Sequence, residues 1–88
     1  MSLKNEFEGL LGNLESAREQ LRLKLHLASM DAKDEFDEAE KQWEQIKGKA
    51  SDIADESIET SEEYIAKAKI IGEELKAAYE RVAKRFAE

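Results

Sequence analysis

A column of small residues recurs at every eleventh position, and this spacing constrains the fold more than any other feature of the sequence. The column contains Ala17, Ala28, Ala39, Ala50, Ser61, Gly72 and Ala83. Large apolar residues follow the same spacing, among them Leu3, Leu14, Leu25 and Phe36. Eleven residues fill three turns at about 3.67 residues per turn, close to the natural period of an α-helix. The chain has no proline, so no helix is interrupted by one. The spacing therefore predicts an all-α protein with long helices.

Glycines indicate where the helical pattern is interrupted. Gly48 is followed closely by Ser51 and Asp52, which is the order of a helix C-terminus and the N-cap of a new helix. Gly9 and Gly12 form a second such point near the start of the chain. We therefore expect one interruption near the middle of the chain and another near its start.

These interruptions predict a long two-helix antiparallel hairpin with an eleven-residue, coiled-coil-like repeat. The predicted segments are an N-terminal arm at residues 1–12 and a hairpin at residues 13–88, with helices at about 13–47 and 52–87. An alternative stays open, because one glycine costs a helix only about 1 kcal/mol and the apolar seam of Trp43, Ile46 and Ile53 passes Gly48 without a change of phase. In that alternative the chain is one continuous long helix in an antiparallel oligomer.

A second apolar face is left over once the hairpin seam is formed. Leu23, Leu27 and Met30 are spaced as neighbours on one helix face, and Ile58 and Ile65 have the same spacing later in the chain. A helix with two apolar stripes contacts two neighbours. We therefore predict that hairpins associate into a four-helix bundle, as a homodimer or tetramer, through these five residues.

Acidic residues outnumber basic residues by 21 to 14, which gives a net charge of −7. Six acids without a base are concentrated in one segment: Asp52, Asp55, Glu56, Glu59, Glu62 and Glu63. This segment is a solvated face that keeps the protein soluble, a surface for a basic protein partner, or a place where divalent cations bind loosely, and all three readings stay open. The acidic balance does not fit a nucleic-acid-binding protein.

The residue types that usually carry out catalysis or bind metals are scarce. The chain has no cysteine and one histidine, His26, and no carboxylate lies three or four positions from it. No glycine-rich phosphate loop and no Ser–His–Asp set is present. We therefore predict no catalytic, cofactor-binding or metal-binding residue, and a protein that is not an enzyme. His26 is expected at the boundary between two stripes, and Trp43 in the core.

Two resemblances accompany these patterns. The eleven-residue amphipathic spacing over residues 14–86 resembles that of apolipoproteins and late-embryogenesis-abundant proteins, although the chain lacks proline between its repeats. The stretch 25–32, followed by 34–36 and Trp43, resembles small uncharacterised bacterial coiled-coil proteins. The first resemblance implies a role on lipid surfaces, and the second implies no assigned activity.

The expected function follows from the exposed stripes and the acidic segment. We expect a non-enzymatic helical interaction or scaffold protein that self-associates through apolar stripes and offers an acidic surface to a partner. The alternative is a stress-type amphipathic protein that folds on lipid or membrane surfaces. No apolar run approaches the roughly 18 residues of a membrane span, and the N-terminus lacks the pattern of a signal peptide. A cytoplasmic location is therefore expected, and membrane association is not.

Overall fold

Three α-helices make up the chain in the computed structural model, which describes residues 2–87. Helix α1 spans Leu3–Lys24, α2 spans Met30–Ala54 and α3 spans Glu62–Ala87. A short 3-10 turn at Leu25–Leu27 follows α1. No strand occurs within this part of the chain. The prediction of an all-α fold is confirmed.

Each helix begins at a serine that caps it. The hydroxyl oxygens of Ser2, Ser29 and Ser61 each accept a hydrogen bond from the backbone N–H three residues later, at 3.1–3.2 Å. Such a cap satisfies one of the N–H groups that a helix start leaves without a partner, and it contributes about 1 kcal/mol. These serines therefore set the starts of the helices.

Helix α1 ends where apolar residues change from helical to alternating spacing. Leu21, Leu23, Leu25 and Leu27 alternate with polar residues, and a helix cannot turn all four toward one side. Leu21 is buried and Leu25 packs against the core, whereas Leu23 and Leu27 are exposed. Ala28 then takes an extended conformation, with φ −82° and ψ 151°.

Helix α2 ends at Asp55, which is extended at φ −78° and ψ 112°. The Asp55 carboxylate accepts hydrogen bonds from the Ser57 N–H at 2.9 Å and the Ser57 hydroxyl at 2.6 Å. The Ile58 N–H donates to the Asp55 carbonyl at 3.1 Å. Acids spaced four residues apart disfavour a helix through this segment, so the chain turns over residues 55–61.

Helix α3 lies parallel to α1. A side chain at Gly72 would meet Leu10, and Lys69 Nζ lies 3.7 Å from Glu6 Oε2. Residue numbers therefore increase together along the two helices. The C-terminal turns of α1 and α3 lie at the same end of the bundle.

Helix α3 is antiparallel to α2. Arg85 Nε lies 2.8 Å from Glu35 Oε1, and the Tyr64 hydroxyl donates to Asp52 Oδ2 at 2.9 Å. The start of α2 thus lies at the end where α1 and α3 finish. The chain runs up, down and up in a bundle of 43 × 21 × 18 Å.

The core lies along the shared axis of the three helices. Its buried residues are Phe7, Leu14, Leu21, Ala32, Phe36, Ala39, Trp43, Ile46, Ile53, Ile65, Ala68, Leu75, Tyr79 and Val82. Helices α1 and α2 approach each other much less closely than either approaches α3. Helix α3 therefore covers apolar surface on both of the others.

Gly72 marks the close approach of α1 and α3. A Cβ at this position would lie 2.8 Å from Leu10 Cδ2, so a larger residue would require Leu10 to move. Gly48 has open space around it and lies inside α2 without a positive φ. It is an ordinary helical residue rather than a turn.

The predicted two-helix hairpin is wrong, because the structure has three helices. The chain turns at residues 25–29 and 55–61, and not at Gly48. The burial of Ile46 and Ile53 on either side of Gly48 outweighs the helix cost of one glycine. The alternative of one continuous helix is wrong for the same reason, since two connections interrupt it.

The predicted N-terminal arm is helical in the structure. Residues 3–12 form the first half of α1, and Phe7 within them is buried in the core. Met1, at the start of the predicted arm, and Glu88, at the end of the predicted hairpin, lie outside the described residues.

Candidate interaction surfaces

Three large apolar side chains are exposed at one end of the bundle. Leu23 is 73% exposed, Leu27 79% and Met30 71%. They lie in the last turn of α1, the 3-10 turn and the first residue of α2. We call these three residues the apolar patch. All three belong to the predicted oligomer interface.

Basic residues lie at the same end of the bundle as the apolar patch. The last turn of α1 carries Arg22 and Lys24, and the last turn of α3 carries Lys84 and Arg85. No acid occurs in residues 22–30 or 84–86. We call this end of the bundle the basic end. The nearest acid in the sequence is Asp31, beside Met30 in the first turn of α2, and Glu35 farther along α2 is paired with Arg85.

The other two residues of the predicted interface lie elsewhere. Ile65 is only 7% exposed and belongs to the core, because α3 packs this face against the other helices. Ile58 is 45% exposed but lies in the connection between α2 and α3, at the opposite end from the apolar patch. The structure therefore does not bring the five residues together in one surface. Ile70 on α3, outside the predicted set, is 57% exposed.

The six acids of the predicted partner surface are all exposed at the end opposite the basic end. They occupy the end of α2, the 55–61 connection and the start of α3. We call this end, residues 50–63, the acidic end. Among the described residues, Glu56, Glu59 and Glu62 make no hydrogen bond or ion pair.

The other three acids of this end have partners, and for Glu63 the partner is Lys67, whose Nζ lies 3.4 Å from Glu63 Oε1. Asp52 accepts from the Tyr64 hydroxyl at 2.9 Å, and this hydrogen bond raises the pKa of Tyr64 above its ordinary value. Lys49 Nζ lies 4.8 Å from the centroid of the Tyr64 ring. The hydrogen bonds from Ser57 lower the pKa of Asp55. These contacts hold the connection in a defined shape.

Helix dipoles act in opposite directions on these acids. Glu62 and Glu63 lie in the first turn of α3, where the positive end of the dipole favours a carboxylate. Asp52 and Asp55 lie at the end of α2, whose last turn has no base, so the dipole disfavours them there. The described residues contain no group of three or more histidines or acids placed to hold a metal ion.

Sequence reasoning missed a polar cluster that joins α1 to α2. Arg18 donates to both carboxylate oxygens of Glu40, at 2.6 and 2.8 Å. Its guanidinium carbon lies 5.5 Å from the centroid of the Trp43 ring. Trp43 itself is 4% exposed, as the sequence predicted. The cluster holds together two helices whose backbones lie far apart.

A groove with a cavity volume of about 230 Å³ lies between α1 and α3. Leu14, Leu21, Tyr79 and Phe86 are among the apolar residues that line it, and Lys24 lies at its edge. The groove reaches the basic end, because Lys24 and Phe86 lie in the last turns of their helices.

Tyr79 is 2% exposed, and among the described residues its hydroxyl has no hydrogen-bond partner. Burial raises the pKa of Tyr79 well above its ordinary value. Removing a buried hydroxyl without a partner removes a desolvation cost, so Tyr79→Phe is expected to leave stability unchanged or raise it by about 1 kcal/mol. Urea unfolding measures this difference.

Tyr64→Phe is the matched control, because the Tyr64 hydroxyl has a partner in Asp52. This substitution is expected to lower stability by up to about 1 kcal/mol. A loss of more than about 1 kcal/mol for Tyr79→Phe would mean that the buried hydroxyl is hydrogen-bonded in solution.

His26 is exposed in the 3-10 turn, at the basic end.

No helix within residues 2–87 combines the length and the apolar character needed to cross a bilayer.

Comparison with known proteins finds no match for the chain. No protein-family model, no curated protein and no solved structure matches it. The similarity to apolipoproteins, to late-embryogenesis-abundant proteins and to small bacterial coiled-coil proteins is therefore one of residue pattern alone.

Proposed function

We propose that this chain is a non-enzymatic three-helix interaction protein that self-associates through the apolar patch and offers its acidic end to a basic partner. The observation that carries the proposal is the exposure of Leu23, Leu27 and Met30, each of which is more than 70% exposed. The other leucines of the described residues are buried or partly buried. Burying one such side chain fully contributes about 1.5–3 kcal/mol. An association that covers all three gains several times that amount before its own costs.

Several features support a binding role over a catalytic one. The single histidine is exposed on a turn, and among the described residues no polar groups converge as a nucleophile and base. The exposed apolar side chains are grouped within eight consecutive residues, whereas scattered single ones are ordinary on protein surfaces. The proposal includes no cofactor, no metal ion and no nucleic acid, and the cytoplasmic location stays a prediction.

The experiment is a charge placed in the apolar patch. Leu27→Glu is expected to reduce the mass in solution to that of the 10.0 kDa chain, because a carboxylate cannot be buried without a partner. Light scattering coupled to size-exclusion chromatography measures the mass over a range of concentrations. Leu27 is 79% exposed, so the variant keeps its core and its helicity.

Ile70→Glu is the matched control, because it introduces the same charge at an exposed apolar residue outside the patch. It is expected to keep the mass of the natural chain. If Leu27→Glu also keeps that mass, the apolar patch is not the interface.

A lipid surface is the second candidate partner. It is supported by the basic residues Arg22, Lys24, Lys84 and Arg85 beside the apolar patch, since anionic membranes attract such combinations. The core, however, is formed by the three helices alone, without a surface to fold on. The net charge of −7 also opposes approach to an anionic bilayer. The vesicle measurement described below separates the two candidates.

A further inference from the structure

The basic residues at the same end as the apolar patch restrict how two copies can meet. In a symmetric dimer built on this patch, Arg22, Lys24 and Lys84 of one copy would face the same residues of the other, and Asp31 would offset only part of this charge. Like charges placed together across an interface oppose association. The patch is therefore better suited to an acidic surface than to a second copy of itself.

The chain carries one surface with the required properties. The acidic end holds six acids and no base in residues 50–63, and three of these acids have no described partner. Ile58 is 45% exposed among them, which offers an apolar residue for contact with the patch. Charge and apolar character therefore match between the two ends of the same molecule.

We propose that copies of this chain assemble head to tail, with the apolar patch and basic residues of one copy on the acidic end of the next. This inference rests on the proposed function, because it specifies how self-association occurs. It also replaces the basic partner proposed for the acidic end with the basic end of a second copy.

The position of the two surfaces sets the form of the assembly. They lie at opposite ends of a bundle 43 Å long, and each contact leaves one patch and one acidic end unoccupied. A contact between two different surfaces that does not close on itself produces open chains. The mass is therefore expected to rise continuously with concentration instead of stopping at a dimer.

Two variants, each blocked at one end, test this arrangement. Leu27→Glu blocks the apolar patch, and the double substitution Glu56→Lys with Glu59→Lys blocks the acidic end. Each variant alone is expected to be monomeric by sedimentation velocity. An equal mixture is expected to form dimers and nothing larger, because one intact patch then meets one intact acidic end.

The matched control for charge is Glu73→Lys with Glu74→Lys. These two exposed acids lie on α3 outside the acidic end, and the double substitution changes the net charge by the same amount. It is expected to keep the assembly of the natural chain.

Salt provides a second readout, since the Debye length falls from about 10 Å to about 3 Å between 0.1 M and 1 M salt. Association is expected to weaken by about tenfold over this range.

Three outcomes would overturn the head-to-tail arrangement. If the Glu56→Lys, Glu59→Lys variant assembles like the natural chain while Leu27→Glu does not, the patch binds another patch, and the proposed self-association survives. If the natural chain is monomeric at every concentration, both proposals fail. If it is monomeric but sediments with phosphatidylglycerol vesicles, the basic end binds lipid instead.

Discussion

Leu75→Ala is expected to lower the free energy of unfolding by about 3 kcal/mol, which is a large part of the stability of a domain of this size. Leu75 is 0% exposed and lies in the middle of α3, which packs against both other helices. Truncation there removes apolar contacts and leaves a cavity. Since 1 kcal/mol shifts the melting temperature by about 4–8 °C in domains of 60–100 residues, a fall of about 12–24 °C is expected.

Leu23→Ala is the control with the same chemical change. Leu23 is 73% exposed, so its truncation is expected to cost less than about 0.5 kcal/mol. Urea unfolding of dilute, monomeric protein is the measurement, because association would bury Leu23 and obscure the comparison. Equal losses for the two variants would contradict the arrangement of the core.

Arg18→Ala is expected to cost about 2–3 kcal/mol of stability. The substitution removes two hydrogen bonds to Glu40 and the contact with the Trp43 ring. The Arg18 and Glu40 side chains are only 20% and 28% exposed, so the loss leaves a carboxylate that is partly shielded from water. The hydrogen bond to Glu40 also raises the pKa of Arg18, which therefore stays charged.

A double-mutant cycle with Glu40→Gln isolates the contribution of the pair, and a coupling of about 1–2 kcal/mol is expected. Arg18→Lys is expected to recover only part of the loss, because an ammonium lacks the planar fork of donors. The control is Lys41→Ala. Its pair with Glu38 is 75% exposed on both sides, and such pairs contribute less than about 1 kcal/mol. A coupling near zero for Arg18 and Glu40 would show that this pair, too, is a surface contact.

The helical phase of the core could be predicted from the sequence. Trp43, Ile46 and Ile53 were placed on one seam, and they are 4%, 0% and 4% exposed. Their common face depends only on spacing along one helix. The seam also passes Gly48 without a change of phase, and that observation correctly indicated a continuous helix at this point.

The positions of the turns could not be predicted from glycine. Within a helix a glycine carries a small cost, and Gly48 lies between buried residues that favour the helix. The true starts of α2 and α3 lie at Ser29 and Ser61, which are followed by acids in the first turn, but Ser51 followed by Asp52 has the same pattern inside α2. A capping serine and acids that match the helix dipole both favour a helix start.

Which apolar stripe becomes buried also could not be predicted from spacing. Ile65 and Leu23 both lie on stripes with helical periodicity, yet the first is 7% exposed and the second 73%. The difference arises from the place where the chain turns, because a turn decides which helix covers which face. The acidic segment is evident from the sequence, but its place at one end of the bundle depends on the same turns.

The unequal spacing of the helices has a consequence for folding. Since α1 and α2 approach each other less closely than either approaches α3, a pair made of the first two helices has little backbone contact to support it. Detachment of α3 would uncover Phe7 on α1 and Phe36 on α2 at the same time, because both belong to the cluster that also contains Leu75 and Tyr79. We therefore expect the bundle to unfold as one cooperative unit, because α3 covers core residues of both other helices.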